Sequence, residues 1–203
     1  MINKPKYKIA RRLGPGMFDK TQTQKFALRE GRRVVSRERS RPKSRYGLQL
    51  LEKQKARVSY GINDRQFSKY VRDALADSYG NPGDALFERL ETRLDNVVYR
   101  LHLAPSRQAS RQIVSHGHIT VNGIRITIPS YNVKKGDELK IREASAKSPL
   151  FQNIEEQMKN SVPPAWLSFD LEKRTGLVQG RPKLMPLELI FEMSAILEFY
   201  RAR

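Results

Sequence analysis

The first sixty residues hold 18 Lys and Arg against 4 Asp and Glu, a net of +14, while the remainder of the 203-residue chain holds 21 against 17. Like charges at that density cannot be packed into an apolar interior, so the compact part of the fold has to come from the rest of the chain. Crowding peaks between Arg29 and Arg45, where eight cations and two anions share the stretch with only Val34 and Val35 as sizeable apolar residues. Such a segment does not bury enough surface to offset its ordering entropy alone. An array of phosphates would relieve its self-repulsion, and Arg in particular forks onto phosphate oxygens and stacks on bases. The expected partner is therefore nucleic acid. A disordered arm that only confers solubility is the plainer alternative, and the concentration of the charge argues against it. Acidic lipid fits less well, because the stretch has no amphipathic apolar face to insert.

Several function classes are excluded at once. With no cysteine there is no disulfide, no thiol nucleophile and no Cys-ligated zinc. No apolar run is long enough for a membrane span or a secretory signal, which predicts a soluble, cytoplasmic protein with no membrane partner. The chain has no phosphate-binding Gly-rich loop followed by Lys, no His-Glu-x-x-His and no Gly-x-Ser-x-Gly. His116 and His118 flank Gly117, and His102 is the only other histidine, so no metal site is expected. Glu155 and Glu156 would point about 100° apart on a helix, as a solvated face rather than an acid and base pair. Asp95, between arginine and asparagine neighbours, reads as an ion-pair partner. No catalytic residue, no cofactor and no enzymatic activity are predicted.

The hydrophobic pattern sets the fold class. Residues 1–45 read as an irregular basic extension. Helix formers dominate from Gly47 to about Tyr60, and Asn63 can cap a helix carrying Phe67, Tyr70, Val71, Ala74 and Leu75. Asp84 is placed to cap one longer helix with Leu86, Leu90, Leu94, Val97, Val98 and Leu101 on one face. Pro105 and Ser106 start another, running to about Ser115. At roughly 100° per residue, Arg107, Gln108, Arg111, Gln112 and Ser115 fall on one half of it, with Ala109 and Ile113 opposite. One side packs, and the other offers cations and amides.

After Gly117 the period switches to two. Ile119 and Val121 alternate, Asn122 and Gly123 suit a type I′ turn, and Ile124, Ile126 and Ile128 alternate back. Leu139 and Ile141 predict a third strand. Ser148 and Pro149 begin a short helix with Leu150, Ile154 and Met158. Trp166 is expected as a packing anchor before an extended run of Leu167, Phe169 and Leu171. A terminal helix from Pro186 to Arg201 has an apolar face whose expected cover is the helices at 63–79 and 85–101. The fold class is α+β: a helical domain with an inserted small RNA-binding module, in which helices pack on a short-stranded antiparallel sheet, and a basic N-terminal extension. The expected boundaries are 1–45 for the extension, 46–92 for the helical domain completed by 180–203, 93–155 for the module and 156–179 for a connecting segment.

Ordered motifs then carry a resemblance. The run Tyr46-Gly47-Leu48-Gln49-Leu50-Leu51-Glu52-Lys53-Gln54-Lys55, the pair Tyr60-Gly61, Arg65-Gln66-Phe67 and Arg93-Leu94-Asp95-Asn96-Val97-Val98-Tyr99-Arg100 resemble the bacterial-type fourth protein of the small ribosomal subunit. So do Ser106-Arg107, Arg111-Gln112-Ile113-Val114-Ser115-His116-Gly117-His118-Ile119, Val121-Asn122-Gly123 and Ile128-Pro129-Ser130-Tyr131. The match spans about residues 46–142 and extends more loosely to Pro164, Trp166, Leu167 and the terminal helix. It implies a structural component of the small ribosomal subunit, a primary binder of small-subunit ribosomal RNA that nucleates assembly and contributes to translational accuracy near the mRNA entrance. It also implies contact with the fifth small-subunit ribosomal protein. The implied RNA-facing residues are Arg107, Gln108, Arg111, Gln112, His116 and His118, with Lys53, Lys55, Arg57, Arg65 and Gln66 on the helical domain. The basic extension adds Arg11, Arg12, Arg32, Arg33, Arg37 and Arg45. Where the family often carries a cysteine-ligated zinc knuckle, this chain has none, which implies the zinc-free variant. The location implied is the small subunit of a cytoplasmic or organellar ribosome.

The alternative function is a free-standing RNA chaperone or ribosome-rescue protein. RNA-modifying enzymes that carry a similar small module need a catalytic domain, and none is expected in the roughly 60 residues after position 142.

Overall fold

A computed structural model describes residues 5–37, 44–77, 80–146, 148–151, 163–171, 173–185 and 189–202, with backbone alone at 19 and 33–37. The architecture is α+β and divides into two units, residues 1–83 with 185–203, and residues 84–184.

In the first unit the basic stretch is helical rather than irregular. Helix α1 spans Lys6–Leu13, single 3₁₀ turns follow at Pro15–Met17 and Asp19–Thr21, and α2 spans Gln24–Arg37. The physical reason is a handful of anchors: Ala10, Leu13, Met17 and Phe26 are buried. Thr21 fixes the turn by donating its hydroxyl to the carbonyls of Pro15 (2.6 Å) and Phe18 (2.7 Å). Each short helix contributes only one or two of these anchors, too few to register as a period.

Helix α3 (Arg45–Ser59) starts at Ser44, whose Oγ accepts from the Gly47 N–H, and α4 (Asp64–Leu75) starts at Asn63, whose Oδ1 accepts from Gln66 at 2.8 Å. The terminal helix is shorter than the apolar pattern predicts. It runs Met193–Arg201, with Leu189 and Ile190 outside it and Ile190 exposed. Its buried Met193, Ile196, Leu197 and Phe199 are covered chiefly by α3, with α4 beside it. Of the expected cover, helices at 63–79 and 85–101, the first is α4, while the chief partner is α3, to which the apolar period does not point. Aromatic pairs mark the seam, Tyr46 with Phe199 at 5.4 Å and Phe67 with Tyr200 at 6.4 Å between ring centres.

In the second unit the one long helix is two, α5 (Pro82–Glu91) and α6 (Leu94–Arg100). Every apolar position named for that face is buried, so the face is right and the continuity is not. The break at Arg93 has a cause. Arg93 is extended and bridges Asn132, and the N–H groups of Leu94 and Asp95 donate to the carbonyls of Tyr131 (2.8 Å) and Pro129 (3.1 Å). The loop thus satisfies the donors that α6 leaves at its start, in place of a side-chain cap. The cap of α5 is Asn81, which accepts from the Gly83 N–H at 2.9 Å, rather than Asp84. Helix α7 spans Arg107–Ser115 with Ser106 as its cap.

The hairpin β1 (Ile119–Val121) and β2 (Ile124–Arg125) turns through Asn122 and Gly123, both left-handed as the sequence predicts. β2 is short, and Ile124 and Ile128 are exposed. After β3 (Glu138–Ile141) come a four-residue helix α8 (Glu143–Ala146) and a 3₁₀ turn at Pro149–Phe151. The expected continuation of that turn through Ile154 and Met158, together with Glu155 and Glu156, lies outside the described residues.

The stretch read as a connecting segment supplies two further strands, β4 (Leu167–Asp170) and β5 (Thr175–Val178). The sheet is antiparallel throughout, in the order β2-β1-β3-β5-β4. Alternation does not mark β5, because Thr175 and Gly176 are both buried. Glycine fits closely at 176: a Cβ there would lie 2.6 Å from a methyl of the buried Leu101, which would have to shift. Trp166 packs against the core formed by α6, α7 and the sheet, the anchoring role expected of it.

Candidate nucleic-acid interface

Helix α7 presents the division its sequence predicts. Ile113 and Val114 are buried against the sheet, Gln108, Gln112 and Ser115 are exposed, and Arg107 and Arg111 are half-buried at the margin. Its end is fixed by a Schellman motif, in which Gly117 N–H donates to Val114 (2.8 Å) and His118 N–H to Ile113 (3.2 Å). Gly117 adopts φ +74°, and the Arg125 guanidinium lies where its Cβ would be, donating to the His116 carbonyl at 3.2 Å. A cation at the C-terminus of a helix opposes the negative end of its dipole. The tight Gly117 corner therefore brings His116, His118 and Arg125 together at one end of α7.

His116 is exposed. His118 is half-buried, with Nδ1 2.9 Å from the Ser145 hydroxyl and its ring edge-on to Phe151. Burial first, then the charges of His116, Arg125 and Arg142, hold the His118 imidazole below the usual histidine range. At neutral pH it is a hydrogen-bonding group rather than a cation.

Beneath α7 lies a set of buried charges. Glu91, Arg93, Asp95 and Asn96 are each less than 5% exposed. Arg93 grips Asp95 with Nε at 2.9 Å and Nη2 at 2.6 Å, the ion pair expected of Asp95. Arg111 approaches the same carboxylate at 3.9 Å. Arg100 holds Glu91 with Nε and Nη2 at 2.8 and 2.9 Å, the Asn96 amide donates to Glu91 at 2.9 Å, and Arg107 Nε donates to Asn96 Oδ1 at 2.8 Å. Arg107 also stacks on Tyr99, 4.5 Å from the ring centre. Asp95 is thus set between two arginines, one of them on α7, whereas Glu91 binds Arg100 directly and is linked to Arg107 of α7 through Asn96.

The candidates of the helical unit separate. Arg12, Arg32 and Arg65 are exposed. Arg12 and Arg57 line, with Lys8 and Gln54, a groove of about 370 Å³ between α1 and α3. Arg57 donates to Gln54 at 2.7 Å, Lys55 pairs with Glu52 at 2.7 Å, and Gln66 donates to the Tyr70 hydroxyl at 3.0 Å. Arg11 lies 3.5 Å from Glu30. Arg45 pairs with Glu198 at 2.9 Å, and that hydrogen bond holds the Glu198 carboxyl below its usual range. Arg33 and Arg37 belong to α2, and their side chains lie outside the described residues.

Lys53, expected to face RNA, is instead buried. It is 4% exposed, paired with Asp64 at 2.9 Å and placed over the rings of Phe199 and Tyr200 at 5.0 and 5.2 Å. A buried ammonium with its charge matched inside the fold is a packing residue. Lys53→Ala is expected to cost about 2–3 kcal/mol of stability. RNA affinity at saturating folding should be unchanged, as denaturant melts and filter binding on one preparation will report.

Arg125 and Arg142 also lie at the Gly117 corner, near His116 and His118. The hairpin and the end of β3 carry them to the α7 corner, and only the Gly117 turn hints at that in the sequence. The N-terminal helices offer no thiolate to zinc, so a zinc knuckle does not fit this chain. Its buried apolar anchors supply the order instead.

Residues 2–91 match the family model described as ribosomal protein S4/S9 N-terminal domain, and residues 92–139 match the S4 domain. The small ribosomal subunit protein uS4A of Alkaliphilus metalliredigens is 48% identical over 157 residues, covering 77% of this chain and 75% of that protein. The uS4 proteins of Persephonella marina and Herpetosiphon aurantiacus are 43% and 40% identical, each over 97% of this chain and 96% of their own.

Proposed function

The chain belongs to the uS4 family of small ribosomal subunit proteins, and from that premise we propose that it is a structural component of the small subunit that binds small-subunit rRNA directly. The observation that carries this reading is α7: a rigid, capped helix with its apolar side in the core and arginines and amides on the other. Duplex RNA hides its base edges in a deep, narrow groove, so recognition rests on junction shape, 2′-hydroxyls and phosphate spacing. Guanidinium and amide groups at fixed separations along a helix suit that task, because phosphate contacts set register and orientation. Exposed Arg12, Arg32 and Arg65 add further cations on the helical unit.

No turnover is involved on this reading. The finer proposals are early binding that nucleates assembly, contact with the fifth small-subunit protein, and a place near the mRNA entrance that affects accuracy, in a cytoplasmic ribosome. The experiment is co-sedimentation after high-salt washing. A structural component stays at one copy per small subunit. A substoichiometric protein that washes off would instead be the rescue factor or RNA chaperone.

A further inference from the structure

Resting on the reading that α7 meets RNA, we propose that Asn96 is a positioning residue that sets the Arg107 guanidinium for phosphate binding, as the hub of a buried relay from Arg100 through Glu91 to α7. A side-chain amide has one donor end and one acceptor end. In Asn96, which is 2% exposed, the donor end faces the Glu91 carboxylate (2.9 Å) and the Glu91 backbone carbonyl (3.1 Å), neither of which can donate to it. The amide therefore has one orientation, and it turns Oδ1 to Arg107 Nε at 2.8 Å. The far end of the relay is equally fixed, because Arg100 clamps both oxygens of Glu91.

Arg107 is thereby held at its Nε edge by Asn96 and on one face by Tyr99, three residues further along the same helix. Edge and face together define the plane in which its two Nη groups lie. The rotamer freedom a long side chain would lose on meeting a phosphate has been lost in folding, which is the general benefit of preorganisation. Residue identity at 96 matters for this. An aspartate would set a carboxylate against Glu91, and an aliphatic side chain would leave the Arg107 edge without its acceptor. Asp95, placed between Arg93 and Arg111, repeats the arrangement one residue earlier with a looser reach of 3.9 Å.

The test is a double-mutant cycle on the full chain, reading the affinity for small-subunit rRNA at one fixed salt concentration. Asn96→Leu removes no charge, so any loss it causes does not come from long-range electrostatics. Asn96→Leu and Arg107→Gln are each expected to weaken binding about tenfold, and the double variant about tenfold as well, because both act through one contact. Losses that multiply to about a hundredfold, or Asn96→Leu binding like the wild type, would overturn the proposal.

Should Asn96→Leu fail to fold, the free wild-type chain decides. The Arg107 Nε–H, whose acceptor is the buried Asn96, is expected to exchange with water at least about tenfold more slowly than that of exposed Arg65, read by nitrogen-edited NMR. Equal exchange rates at the two side chains overturn the proposal. A wild-type chain that ignores the rRNA overturns the reading of α7 and this proposal with it, whereas multiplicative losses overturn this proposal alone.

Discussion

Asp95→Ala is expected to lower the stability of the unit formed by residues 84–184 by about 3–5 kcal/mol, the largest effect of any single polar substitution in it. Arg93 is 1% exposed, and its guanidinium rests on Asp95 at 2.6 and 2.9 Å. Removing the carboxylate leaves a buried cation without its counter-charge in a place water does not reach. The companion result is asymmetric. Asp95→Leu combined with Arg93→Met is expected to recover most of the loss, because replacing both members of a buried pair by apolar groups removes the desolvation penalty along with the attraction. Denaturant unfolding of the three proteins reads both outcomes. A single variant as stable as the wild type would mean that the pair is accessible to solvent. The recovered double variant should still bind RNA more weakly than the wild type, since Arg111 loses the carboxylate beside it.

The second large effect concerns ions. If about eight phosphates are engaged, wild-type affinity for small-subunit rRNA should fall on the order of 10⁴-fold between 50 and 200 mM salt, judging from the behaviour of DNA. Arg107→Gln with Arg111→Gln removes two charges from α7 and should weaken binding about a hundredfold while lowering the slope of log affinity against log salt by about two phosphate equivalents. Both side chains also brace buried acceptors, Asn96 and Asp95, so the unfolding midpoint should fall as well, by less than in Asp95→Ala, and binding is compared where circular dichroism shows both proteins folded. An unchanged salt slope would mean that neither arginine meets a phosphate.

Much of this was legible in the sequence because it is local. The two sides of α7 follow from the helical angle, the hairpin from Asn122 and Gly123, and the caps at Asn63 and Ser106 from their side chains. What was not legible depends on partners far along the chain. Lys53 reads as one more surface cation on a helix, and only Phe199 and Tyr200, brought over it by the terminal helix, make it a core residue. The break at Arg93 is made by the carbonyls of Pro129 and Tyr131, which no helix propensity encodes. β5 is defined by pairing with β3 and β4 and by the close approach of Leu101 to 176. The basic extension shows the same limit from the other side, since its few apolar anchors suffice once α3 is there to receive them.

The claim on which the rest depends is that rRNA covers the polar side of α7, and His116 reports on it directly. Its imidazole is exposed at the end of that helix. Acylation with a histidine-directed reagent, read residue by residue by mass spectrometry in the free protein and in its complex with small-subunit rRNA, should show His116 reactive alone and protected when bound. An intact complex in which His116 reacts as fast as in the free protein would contradict the account.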